Sequence, residues 1–67
     1  MTNRDIVLTH GKIYVKNEYT GDYNQNDEGK FTAMFMRCDG CYGYAVSDKI
    51  SSLRKQVKEQ ILFSYKH

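Results

Sequence analysis

The sequence contains no proline, only two cysteines among its 67 residues, and no long apolar run. Two cysteines are too few for the disulfide framework of a small secreted protein. No stretch approaches the roughly 18 apolar residues that a membrane span needs, and the first five residues lack the basic and then apolar run of a secretory signal. We therefore expect a cytoplasmic protein with no membrane partner.

The composition is that of a folded chain, with 40% hydrophobic and 13% aromatic residues and no long run of one charge. A domain of about 60 residues buries only roughly 60% of the surface that its unfolded chain exposes. Small domains usually gain stability from disulfides, a metal or a partner subunit. The sequence therefore predicts a single domain over residues 1–67 whose partner is central to its role.

Alternating apolar residues and turn signals predict an α+β fold, with a small antiparallel sheet of three to four strands and one C-terminal helix on one face. The expected strands cover about 5–9, 12–18, 30–37 and 41–46, and Gly11 supplies the turn of a first hairpin. The polar stretch 20–29 is typical of a mobile loop. Apolar residues at helical spacing predict a helix over about 48–63.

Both faces of the third predicted strand are apolar, yet a single helix can cover only one side of a sheet. Tyrosine, phenylalanine, methionine and arginine are enriched at interface cores, and the chain has six tyrosines. Alternatively, these tyrosines simply pack half-exposed on a small sheet. We expect seven residues to bind a protein, of which Tyr23 and Asp27 lie in the predicted loop. The full set is Tyr14, Tyr23, Asp27, Met34, Met36, Tyr42 and Tyr44.

The pair Cys38 and Cys41 has the spacing of half a structural zinc site. The other candidate ligands are His10, in a predicted turn, and His67, at the last position. We expect the two thiols to be buried and to flank a β-turn, and we predict no metal and no cofactor. Because the two histidines are far apart and no phosphate-binding glycine loop is present, we predict that the chain is not an enzyme.

The positive charge is concentrated at the C-terminal end, where residues 47–67 carry five Lys or Arg against two acidic residues. Such a segment can follow nucleic-acid phosphates, although Glu59, four residues after Lys55, is also typical of a solvated helix face. The residues expected to bind nucleic acid under this alternative are Lys49, Arg54, Lys55 and Lys58.

The run from Gly29 to Asp48 combines a glycine-led alternating strand, a turn ending in Gly40-Cys41, a second strand and the start of an amphipathic helix. It resembles the N-terminal domain of HicB-type antitoxins, and the whole chain resembles short phage proteins that disable host enzymes. The chain differs from HicB-type domains in lacking prolines at the turn and in its basic helix. The resemblance implies a β-β-β-α domain, similar to a truncated ribonuclease-H-like fold without its active site, that blocks another protein.

Together these patterns predict a non-enzymatic, phage-encoded inhibitor in the host cytoplasm that blocks a host enzyme through an exposed sheet face. A homodimer is also possible, and a structural dimer with no blocking role is a third interpretation. The alternative is a small dimeric nucleic-acid-binding protein that uses the basic C-terminal helix.

Overall fold

The computed structural model describes residues 2–66. The elements are a 3₁₀ turn (Asn3–Asp5), β1 (Ile6–Thr9), β2 (Lys12–Val15), β3 (Glu18–Gln25), β4 (Phe31–Met36), β5 (Tyr42–Ser47) and α1 (Ile50–Lys66). The strands form one antiparallel sheet in sequence order. The predicted α+β class, with one C-terminal helix on one face of an antiparallel sheet, is confirmed. The sheet has five strands rather than three or four.

The first two hairpins have tight turns with positive φ at both central residues, as type I′ turns require. The predicted hairpin between β1 and β2 turns at His10 (52°) and Gly11 (79°). The predicted strand over 12–18 instead ends at Val15, because Lys16 (50°) and Asn17 (69°) form a second turn of the same kind. This second turn contains no glycine and therefore lacks the usual sequence signal of a type I′ turn.

The predicted mobile loop at 20–29 is wrong. Residues up to Gln25 belong to β3, which pairs with β2 on one side and β4 on the other. Polar side chains do not prevent this pairing, since the ladder uses only backbone groups. The remaining residues form an ordered turn, in which the Asn26 side-chain oxygen accepts hydrogen bonds from the backbone N–H groups of Glu28 (2.9 Å) and Lys30 (3.0 Å).

The helix α1 carries the predicted apolar stripe, because Leu53, Val57 and Ile61 are all fully buried. The helix begins two residues later than predicted. The carbonyl of Lys49 accepts its first hydrogen bond, from the Leu53 N–H at 3.0 Å, and the Ser47 hydroxyl accepts from the Lys49 N–H at 3.3 Å. It also continues three residues beyond the predicted end at 63.

The core lies between α1 and the side of the sheet that faces it. Its buried hydrophobic residues are Ile6, Leu8, Ile13, Ala33, Phe35, Ala45, Leu53, Val57 and Ile61. Phe35 is the largest of them, and its partners in the two neighbouring strands are Gly21 and Gly43. A Cβ atom on Gly43 would lie 2.5 Å from the ring atom Cε2 of Phe35, and one on Gly21 would lie 2.5 Å from Phe35 Cα. Gly43 therefore leaves free the space that the ring occupies, and Gly21 lets the backbone of β4 lie close to β3.

Hydrogen bonds attach α1 to the edge strand β5. The Gln60 side chain donates to the carbonyl of Tyr44 at 2.8 Å, and the Gln56 side chain donates to the carbonyl of Val46 at 3.2 Å. Near the other end of the helix, the buried Ser64 hydroxyl accepts a hydrogen bond from the Cys38 N–H at 3.0 Å. These bonds fix the position of the helix along the sheet.

We predict that Gly21→Ala and Gly43→Ala both destabilise the fold. Overpacking a core usually costs about 1–3 kcal/mol, and Gly21→Ala should cost more because its Cβ meets backbone atoms rather than a ring edge. The measurement is urea unfolding followed by circular dichroism. Val46→Ala, on the exposed side of β5, is the control and should change stability little. Equal stability of Gly21→Ala and the parent chain would contradict this packing.

Candidate protein-binding face

One face of the sheet has no helix on it. We call this the open face; it is made of the residues of each strand that point away from α1. Its members are Val7, Thr9, Lys12, Tyr14, Tyr19, Asp22, Asn24, Thr32, Met34, Met36, Tyr42, Tyr44 and Val46.

The apolar members of the open face are adjacent to each other and exposed. Met34 pairs with Tyr44 and Met36 with Tyr42 across β4 and β5. Met34 is 60% exposed, Tyr44 59% and Tyr42 72%. Directly opposite residues in antiparallel strands have Cβ atoms only about 4.5–5.5 Å apart. These side chains therefore form a continuous apolar surface rather than scattered exposed residues.

The exposed apolar side chains of the whole open face add up to a large area. Seven large apolar side chains on the open face are 38–72% exposed, which amounts to roughly 700 Å² when aromatic side chains present about 150–250 Å² each. The largest apolar patch on a typical monomer is about 300–600 Å², and a standard protein interface buries about 800 Å² per partner. The open face thus approaches the size of one side of a protein interface.

Polar groups on the open face bond to each other. The Tyr19 hydroxyl donates to Asp22 Oδ2 at 2.6 Å, and the Thr32 hydroxyl donates to Asn24 Oδ1 at 2.9 Å. The Tyr14 and Tyr19 rings meet edge to face with centroids 6.3 Å apart. The hydrogen bond to the Asp22 carboxylate, with smaller effects of desolvation and nearby charge, raises the pKa of Tyr19 above its ordinary value of 10.0. This part of the face is ordered before any partner arrives.

Five of the seven residues predicted to bind a protein lie together on the open face; these are Tyr14, Met34, Met36, Tyr42 and Tyr44. Two do not. Tyr23 lies in β3 opposite Ala33 and packs against the core on the helix side, since β3 replaces the predicted loop. Asp27 is exposed in the turn between β3 and β4.

Sequence reasoning missed three exposed apolar members of the open face, Val7, Tyr19 and Val46. Alternation along β1 and β5 was the available signal for Val7 and Val46. Tyr19 carried no such signal, because the sequence pattern placed it at the start of a loop.

A groove of about 840 Å³ continues the open face where β3 begins and β4 ends, and its lining includes Tyr19, Met36, Tyr42, Lys16 and Arg37. Arg37 forms an ion pair with Asp39 at 3.0 Å. Its buried Nε has no hydrogen-bond partner within residues 2–66. Apolar residues flanked by charged ones resemble the core and rim of protein interfaces.

The two cysteines lie at the predicted turn between β4 and β5, but the expectation that they are buried is wrong, since both are exposed free thiols. His10 lies in the first hairpin, where its Nδ1 is 2.9 Å from the Thr9 hydroxyl, and His67 lies outside the described residues. In the part of the chain that the structure describes, no three His, Cys, Asp or Glu residues come together in a way that could hold a metal ion. The sequence prediction of no metal and no cofactor stays a prediction.

The residues expected to bind nucleic acid lie on and just before α1. Arg54, Lys55 and Lys58 line a small depression together with Glu59. Lys49 is exposed just before the helix begins. This basic surface is on the solvent side of α1, so it is separate from the open face.

A comparison of the chain with protein-family models, curated proteins and solved structures finds no match. Among residues 2–66, no helix has both the length and the hydropathy that a membrane crossing requires.

We predict that Asp22→Asn lowers the pKa of Tyr19 towards 10.0, because the carboxylate that accepts the hydrogen bond of the Tyr19 hydroxyl is gone. The measurement is an NMR titration of the Tyr19 ring between about pH 8 and about pH 12. Because the pKa of Tyr19 is higher in the folded chain than in the unfolded chain, the hydrogen bond stabilises the fold at pH values below the unfolded-state pKa. This stabilisation is lost as the pH rises through the folded-state pKa. Asp27→Asn is the control. A Tyr19 titration that is the same in Asp22→Asn and in the parent chain would contradict the hydrogen bond.

Proposed function

We propose that this chain is a non-enzymatic protein-binding domain that covers part of another protein with its open face. The observation that carries the proposal is the continuous exposed surface of Met34, Met36, Tyr42 and Tyr44. Aromatic side chains and methionine are enriched in the cores of protein interfaces, whereas lysine and glutamate are depleted there. The part of the open face on β4 and β5 has that composition.

The shape of the face favours a protein over a small molecule. Small-molecule sites enclose most of the ligand, whereas Met34, Tyr42 and Tyr44 are 59–72% exposed on a sheet and only the adjoining groove is concave. Methionine side chains adapt to irregular surfaces, and the tyrosines add rigid apolar area with a hydroxyl that can bond at the rim. Such a face fits an apolar patch on a folded partner.

The partner that we propose is an enzyme of a host cell, which the chain blocks by covering its surface. Support comes from the resemblance of the run from Gly29 to Asp48 to HicB-type antitoxins and of the whole chain to small phage inhibitors. That run forms β4, β5 and the approach to α1, so it includes Met34, Met36, Tyr42 and Tyr44 of the open face. Under this proposal the chain is phage-encoded and acts in the host cytoplasm.

The test is affinity capture from bacterial lysate with the tagged full chain, with nuclease treatment and a salt series in parallel. We expect one stoichiometric protein to survive both treatments, since an apolar interface changes little with salt. The combined variant Met34→Ala, Met36→Ala and Tyr44→Ala should lose it. The matched control replaces Arg54, Lys55 and Lys58 by alanine and should retain it.

Circular dichroism first establishes that both triple variants are folded. A folded open-face variant that captures the same protein as the parent chain would overturn the proposal.

A nucleic-acid-binding role is the second candidate, because Arg54, Lys55 and Lys58 converge on one depression. The logarithm of the affinity for duplex DNA falls with the logarithm of the salt concentration, with a slope of about −0.9 for each phosphate that the protein neutralises. With three phosphates neutralised, the affinity should fall about 40-fold between about 50 and 200 mM salt. Fluorescence anisotropy with a labelled duplex measures this. The helix triple variant should flatten the slope while the open-face triple variant leaves it unchanged. Affinity independent of salt would reject this candidate.

A further inference from the structure

The open face leaves a large apolar area uncovered on a very small domain. The chain has 67 residues, and domains of this size often depend on oligomerisation for stability. We infer that, in the absence of another partner, a second copy of this chain covers the open face. This inference rests on the proposed function, because it takes the open face to be a docking surface, and it adds what regulates access to that surface.

The area of the open face suits a dimer. Two copies that each bury roughly 700 Å² remove roughly 1,400 Å² in total, within the range of about 1,200–2,000 Å² for stable interfaces. Two sheets can pack face to face at about 10 Å with their strands nearly aligned. The pairs Met34–Tyr44 and Met36–Tyr42 lie next to each other on β4 and β5 and would supply the apolar centre of such a contact.

Charge on the open face does not oppose a second copy. Its charged members are Lys12 and Asp22, which are opposite each other on β2 and β3, so the face is neutral as a whole. The Asp22 carboxylate and the Thr32 hydroxyl already have hydrogen-bond partners within the face. Burying these two groups against another copy therefore does not leave them without a hydrogen-bond partner.

The edge of the sheet at β5 is a poor alternative site for self-association. Edge strands pair with other chains through free backbone groups. On β5 the carbonyls of Tyr44 and Val46 already accept hydrogen bonds from Gln60 and Gln56. At the other edge, β1 has only four residues. Association through the open face is the arrangement that the described part of the chain favours.

Dimer and partner then compete for one surface. The fraction of chain in the dimer rises with the concentration of the chain. The dimer therefore keeps the open face covered until the chain is diluted or a partner binds that face more tightly. The regulated quantity is the fraction of chain whose open face is free.

The test is sedimentation equilibrium of the full chain from about 1 µM to about 1 mM, a range that brackets weak and moderate dimers. We expect the mass to rise from 7.9 kDa to twice that value. Met34→Lys places a like charge on both copies and should raise the dimer dissociation constant at least about tenfold. Lys55→Glu, on the helix, is the matched control and should leave it unchanged.

Isotope-filtered NMR locates the contact. A mixture of chains with labelled methionine methyls and unlabelled chains should show NOEs from Met34 and Met36 to tyrosine rings of the other copy. A monomer at about 1 mM overturns the inference, as does a dimer that resists Met34→Lys and lacks these NOEs. If a monomer still captures a protein that the open-face triple variant loses, the proposed function survives without the dimer. A dimer whose open face captures nothing would reject the proposed function alone.

Discussion

Phe35 is the side chain on which the rest of the fold depends. It is fully buried near the end of β4, and the residues beside it in the two neighbouring strands are glycines. Any side chain at Gly21 or Gly43 would occupy the space of Phe35 or of its backbone. The ring lies over Gly43, and an aromatic ring over a glycine on an adjacent strand helps to fix the register. Phe35 therefore contributes to the pairing of β3, β4 and β5.

A core built this way is one-sided. Phe35 and the stripe of α1 fill the space on one side of the sheet, and the chain has no second helix within the described residues to fill the other. Alternation along β4 and β5 then exposes Met34, Met36, Tyr42, Tyr44 and Val46. The apolar open face is therefore a direct consequence of placing methionine and tyrosine at the alternate positions.

The sequence was sufficient to predict β4, β5 and α1, and with them four of the open-face residues, because their periodicity is local and strong. It was insufficient for β3. The turn at Lys16 and Asn17 has no glycine, and the polar residues after it have the composition of a loop. What makes them a strand is pairing with β2 and β4 on both sides, a long-range condition that a local pattern does not contain.

Tyr19 illustrates how much of a binding face depends on register rather than on sequence pattern. Simple alternation would place it with Gly21 and Tyr23 on the core side of β3. The register shifts by one residue, so that Ile13 pairs with Gly21 but Tyr14 pairs with Tyr19. A β-bulge of this kind turns a side chain to the opposite face. The shift puts the Tyr19 ring beside Tyr14 and its hydroxyl within 2.6 Å of Asp22, and thereby extends the apolar surface from β4 and β5 towards β2.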